Sequence, residues 1–172
     1  ADAAGAERRA LPITLALLLA AFGTVVAALL PIAAAVLSIV AALGLAAVAA
    51  EHWPLTILLQ NVVAMLGLGL GVDYALLVVS RYRERVGAGE SHQRAAEDAA
   101  VHAGRTVAVS GAAVAIGFAA LLLVPVAELR AVAVGALLVV GVCVSSATTL
   151  LPAALATLGP RVERGRLPVR LA

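Results

Sequence analysis

The sequence predicts an all-α membrane protein, a polytopic bundle of transmembrane helices. Two observations carry this reading. Hydrophobic residues make up 63% of the chain and charged ones 13%, whereas soluble domains use about 45–50% and about 25%. The charge is also segregated: none occurs from Leu11 to Ala50, and only Asp73 occurs from Leu55 to Ser80. Such runs are long enough to cross the roughly 30 Å hydrocarbon core of a bilayer.

Residues 1–10 form a polar lead with Glu7, Arg8 and Arg9 beside the first apolar run. As one helix, Leu11 to Ala50 would be about 60 Å long, twice the hydrocarbon thickness, so it must hold two spans. Pro31 is the natural break, since a proline suits the first position of a helix, where its missing N–H is no loss. Spans one and two are therefore expected at Leu11–Leu30 and Ile32–Ala50. Glu51 to Pro54 interrupt the pattern, with Trp53 suited to the membrane interface.

Span three is expected from Leu55 to Tyr82. Gly67 and Gly71 make a G-x-x-x-G face that continues to Tyr74, and Gly69, Asp73, Leu76 and Ser80 share the neighbouring face. All three glycines are candidates for close helix packing. Gly87 and Gly89 then break the helix, and Ser91 can cap a short new one with an apolar stripe of Ala95, Ala96, Ala99, Ala100 and Ala103. Glu90 with Arg94, and Arg94 with Asp98, are spaced as i,i+4 pairs on its polar side. This segment reads as a helix lying on the membrane surface, within a connector at residues 83–105. Gly104 opens span four, at Val107–Val124, which Pro125 closes. Glu128 and Arg130 mark a turn before span five, at Ala131–Leu151, with room to continue past Pro152 to Leu158. The membrane domain is thus residues 11–159, and a basic tail at residues 160–172 carries four arginines.

Five alternating spans put nine arginines (81, 83, 85, 94, 105, 161, 164, 166 and 170) on the side of the 83–105 connector and three (8, 9 and 130) on the other. The positive-inside rule makes the connector and the C-terminus cytoplasmic and the N-terminus external. The chain opens without methionine on the approach to a span, and an external N-terminus without its own signal points to a longer protein upstream.

Several chemistries find no support. With no lysine there is no Walker A loop, and no Ser-His-Asp set or paired carboxylate suggests an enzyme. One cysteine, Cys143, builds no disulfide framework, and His52, His92 and His102 lack the spacing of a metal site. Nothing suggests nucleic acid. What remains is Asp73, about 12 Å along the helix from Arg81 and therefore near mid-membrane. A carboxylate at that depth costs roughly 2.5–3.5 kcal/mol on insertion scales, so it faces protein or water and has work to do there. Burial penalises the charged form of a carboxylate, which suits such an acid to holding and releasing a proton, with the adjacent Tyr74 phenol as donor or relay. Ser110 and Thr148 are candidate neighbours in that relay, although hydroxyls in apolar helices commonly bond to their own i−4 carbonyl.

The run GLGLGVDYALLVVSRYRER at 67–85, the AGRTVAVSG opening span four and the TTLLPAL of span five together resemble the MMPL family of lipid exporters, within the resistance-nodulation-division superfamily. The resemblance covers Leu11 to Gly159 and corresponds to helices two to six of a twelve-helix transporter, a unit that sterol-sensing domains share. It implies a bacterial cell-membrane protein in which Asp73 and Tyr74 form half of a proton relay. An equivalent pair in a second membrane half faces it, and extracytoplasmic porter domains handle the cargo. The implied driving force is the proton gradient, with no cofactor. The implied partners are membrane lipids, a lipidic or amphipathic substrate and the remainder of the transporter, and an oligomeric state is left open. The alternative is a lipid-sensing or scaffolding module of sterol-sensing type that moves no protons.

Overall fold

The computed structural model describes residues 25–49 and 57–159, which form helices and no strands. Helix α1 is Val25–Ala49, α2 is Ile57–Gly87 and α3 is His92–Ala120. A 3₁₀ turn at Leu121–Leu123 follows, then α4 at Ala127–Ser145, a π turn at Ser146–Leu150 and α5 at Leu151–Leu158. Four stretches of the described residues are long and apolar enough to cross a membrane: Leu29–Val48, Ile57–Gly87, His92–Leu123 and Ala127–Leu158. Five were expected. The first, Leu11–Leu30, lies outside the described residues except for its last turns, as do the Glu51–Pro54 break with Trp53 and His52, the polar lead and the basic tail.

Three local expectations are corrected. Pro31 does not separate two helices; it lies inside α1, which already runs from Val25. In lipid a helix tolerates proline because neighbouring helices cover the freed carbonyl, and Pro31 is among the most deeply buried side chains. Nor is there a separate surface helix. Residues 92–120 form one helix that passes through Gly104 without a break, because that glycine is buried where α3 meets Thr148, 3.4 Å from where a Cβ would stand. Ser91 caps this helix as expected, its side chain accepting from the Arg94 N–H. Finally, Glu128 and Arg130 lie in the first turn of α4 rather than ahead of the helix, and Arg130 Nε donates back to the Val124 carbonyl at 3.0 Å to tie off the turn.

The last span does continue past Pro152. A proline removes one N–H and clashes with the carbonyl four residues earlier, and the π turn at Ser146–Leu150 absorbs that misfit while the axis carries on. Thr148 and Thr149 donate to the carbonyls of Val144 and Ser145 at 2.8 and 2.6 Å, so the hydroxyls bond within their own helix.

Helix α2 is the centre of the bundle and touches every other helix. It runs antiparallel to α1, with Gly71 against Ala35 and Gly67 against Ile39, and parallel to α4, with Gly67 near Val139 and Val63 near Gly135. A Cβ on Gly71 would stand 2.8 Å from the Ala35 Cα, and one on Gly67 would stand 2.5 Å from Ile39 Cγ1. Small residues line these seams because van der Waals packing, not exclusion of water, joins helices in lipid. Large side chains point the other way: Val48, Ile57, Met65, Ile116 and Leu123 are 72–84% exposed, which is the pattern of a lipid-facing perimeter. Gly69 takes no part in the packing among the described residues, since no atom of another described helix lies within 4 Å of its would-be Cβ.

Gly71→Leu therefore forces α1 and α2 apart and should destabilise the protein by about 1–3 kcal/mol, whereas Gly69→Leu should be close to neutral. Thermal unfolding of the two variants in detergent measures the difference; equal midpoints would place the Gly71 face against lipid.

Candidate functional site: an intramembrane acid above a charged clamp

Asp73 and Tyr74 are adjacent in sequence but about 100° apart around α2. Tyr74 belongs to the glycine face and is buried, at 3% exposed. Its hydroxyl has no hydrogen-bond partner among the described residues, and Gly111 of α3 leaves it room, since a Cβ there would sit 3.6 Å from the oxygen and collide with Val144. Asp73 lies on a neighbouring, exposed side with Gly69, Leu77 and Ser80. It makes no hydrogen bond or ion pair among the described residues. The phenol therefore does not donate to the carboxylate within this chain, and the two groups present themselves on different faces of one helix.

The expected relay neighbours divide. Ser110 precedes Gly111 and is exposed, at the height of Tyr74 but without a bond to Asp73. Thr148 packs on Gly104, nearer the charged end of the bundle, and gives its hydroxyl to its own helix. Cys143 is buried in the seam with α2, its Sγ 4.0 Å from the Gly67 carbonyl. No group of three or more His, Cys, Asp or Glu able to hold a metal occurs among the described residues.

Below the acid, where α2 leaves its apolar body, the turn between α2 and α3 is closed by a network built around Asp98. Gly89 takes φ +92° in that turn, a left-handed conformation that glycine adopts without a Cβ penalty. Arg85 grips Asp98 with two parallel bonds, Nε to Oδ2 at 2.9 Å and Nη2 to Oδ1 at 2.8 Å, and Arg81 Nε adds a third at 2.9 Å. Arg81 also holds Glu84 at 2.9 Å and Arg85 holds Glu90 at 3.2 Å. Nδ1 of His102 lies 3.0 Å from Asp98 Oδ1, and the Tyr82 hydroxyl shares a 2.9 Å hydrogen bond with His92 Nδ1. The forked Arg85 bonds, reinforced by Arg81, hold the Asp98 carboxyl below the usual carboxylate range.

Sequence reasoning paired Glu90 and Asp98 with Arg94 by local spacing and missed this clamp. The stripe Ala95, Ala96, Ala99 and Ala103 was the available signal. Once buried in the bundle, it brings Asp98 alongside the arginines across the turn, and the longer-range pairing displaces the i,i+4 one.

Together, the central glycine-packed helix, its outward-facing acid at mid-span and the arginine rim define a polytopic helical membrane protein. The similarity of known proteins makes this specific. A profile of the MMPL family matches residues 2–170, and the chain belongs to that family. It is 38% identical over 158 residues to the "Probable transport protein MmpL11" of Mycobacterium leprae, covering 92% of this chain and 16% of that protein. It is 37% identical over 158 residues to the "Mycolic acid-containing lipids exporter MmpL11" of Mycolicibacterium smegmatis, covering 92% and 17%. To the "Trehalose monomycolate exporter MmpL3" of the same organism it is 37% identical over 162 residues, covering 94% and 16%. The chain thus spans about a sixth of the length of these relatives.

Because its folded-state pKa is lowered, Asp98 contributes stability that is fully present above the unfolded carboxylate value of about 3.9. That contribution fades as pH falls from there through the lowered value. The difference in thermal midpoint between the parent and Asp98→Asn should accordingly shrink below about pH 4, as the parent's carboxylate is protonated. A difference that kept its full size through that acid range would contradict the clamp.

Proposed function

We propose that this chain is the N-terminal membrane half of a proton-motive-force-driven exporter of lipidic or amphipathic substrates, with Asp73 as its proton carrier. The observation that carries this reading is the placement of Asp73: mid-span, exposed on α2 and unpaired among the described residues, on a face that none of the described helices covers. An acid at that depth is costly against lipid, which argues that protein or water meets this face in the complete transporter. A second membrane half bearing an equivalent pair would do so, and would bring a partner to the carboxylate that Tyr74, turned inward, does not supply. Proton exchange at Asp73 would then bias the packing of the two halves, and porter domains elsewhere in the protein would move the cargo. The names of the relatives, two of them lipid exporters, support a lipidic cargo.

The orientation follows from the arginines, with the α2–α3 turn cytoplasmic. Cysteines introduced at Gly89 and at Ala127 in a Cys143→Ala background should react with an impermeant thiol reagent from opposite sides, Gly89→Cys from the cytoplasm. Reaction of both from one side would refute the span count.

Asp73→Asn keeps the size of the side chain and cannot ionise. In the full-length transporter it should fold, insert and bind cargo, yet lose transport in vesicles under an imposed pH gradient. Tyr74→Phe should be impaired less, because it loses only the hydroxyl. Parent-like transport by Asp73→Asn would sink the proton-carrier reading and favour the lipid-sensing or scaffolding alternative.

A further inference from the structure

The exposed face of α2 does not end at Asp73. Leu77, roughly 6 Å further along the helix, and Ser80, roughly 10 Å, continue the same stripe toward the arginine rim. There the face opens into a cavity of about 320 Å³ between α2 and α3, lined by Leu77, Ser80, Arg81, Glu84, His102 and Thr106. The cavity has ample room for a chain of waters along the hydroxyls of Ser80 and Thr106 and the charged groups of Arg81 and Glu84, in a lining that is otherwise largely apolar. Leu77, the lining residue nearest to Asp73 along α2, lies about one helical turn from the acid.

We propose that this vestibule is the cytoplasmic proton port of Asp73, and that His102 is the group that exchanges the proton with bulk water. The inference rests on the proton-carrier reading and adds the route and the residue. Among the titratable side chains lining the vestibule, the choice falls on His102 by elimination. Arg81 does not release its proton, and Glu84 is tied to Arg81 at 2.9 Å. An imidazole both accepts and returns a proton near neutrality.

His102 is also held for that work. Its Nδ1 hydrogen-bonds to the main-chain carbonyl of Asp98 at 3.1 Å and lies 3.0 Å from Asp98 Oδ1; both oxygens can only accept, so the proton of the neutral ring sits on Nδ1 and Nε2 is the open acceptor. Asp98 is itself fixed by Arg81 from one turn of α2 and by Arg85 from the next. The charged groups around His102 are thus Asp98 and the neighbouring Arg105 on its own helix, and Arg81, Arg85 and Glu84 on α2. The step balances simply. Asp73 gives its proton to vestibule water, Nε2 takes a proton from that water chain to form the imidazolium, and the imidazolium returns it to the cytoplasm. Asp98 is a positioning residue throughout and is not protonated.

The test uses the full-length transporter in phosphatidylethanolamine–phosphatidylglycerol vesicles with a trapped pH-sensitive dye and an imposed pH gradient. His102→Gln should slow proton flux by roughly tenfold or more, and free imidazole on the vestibule side should restore it. Asp73→Asn should abolish flux, with no recovery in imidazole. In a Cys143→Ala background, Leu77→Cys should be modified by an impermeant thiol reagent from the same side as Gly89→Cys. Parent-level flux in His102→Gln, a loss that imidazole does not repair, or a Leu77→Cys that is closed from that side would each overturn the port while leaving Asp73 as carrier. Parent-level flux in Asp73→Asn would instead overturn the reading beneath it.

Discussion

The close approach of α2 to α1 and α4 at Gly67 and Gly71 sets the rotation of α2 about its own axis. Everything else on that helix follows from it. With Gly71 on the Ala35 backbone and Gly67 between Ile39 and Val139, Tyr74, Val78 and Tyr82 are carried into the core, and Asp73 is carried out of it. In a bilayer this seam cannot be replaced by general hydrophobicity, because lipid tails are as apolar as leucine and only shape decides which surfaces meet. The cost of placing glycine in a helix, about 1 kcal/mol relative to alanine, is offset by contacts that no larger residue would permit.

The same rotation explains why neighbouring residues of one motif end with different surroundings. Tyr74 faces the small space left by Gly111, while Asp73 and Ser80 face outward along the stripe that leads to the charged end. The helix thereby links an interior hydroxyl to an exterior carboxylate through two consecutive Cα atoms.

At the charged end, geometry rather than charge count determines strength. Exposed ion pairs contribute little singly, but Asp98 accepts from two arginines on successive turns of α2, and its side chain is only 16% exposed. The clamp joins the end of α2 to the beginning of α3 across a four-residue turn, residues 88–91, and lets α3 run straight from the charged layer into the membrane. That continuity carries His102 and Thr106 to the vestibule beside Ser80.

Much of this was legible in the residues themselves. The helical membrane class, the α2 span with its acid, the G-x-x-x-G face, the Ser91 cap and the continuation past Pro152 all follow from local rules: periodicity, the cost of charge in hydrocarbon, and the demands of glycine, serine and proline. What local rules could not supply was any choice that depends on a neighbour. Pro31 and Gly104 look like helix boundaries until the packing that covers them is known, and Gly69 looks like a contact until the rotation of α2 is known. Asp98 has a plausible partner four residues away on its own helix and better ones on another. The separation of Asp73 from Tyr74, and the cavity that runs from one side of α2 to His102, exist only once α1, α3 and α4 have closed around the central helix, because rotation about a helix axis is set by contacts and not by the sequence of the helix alone.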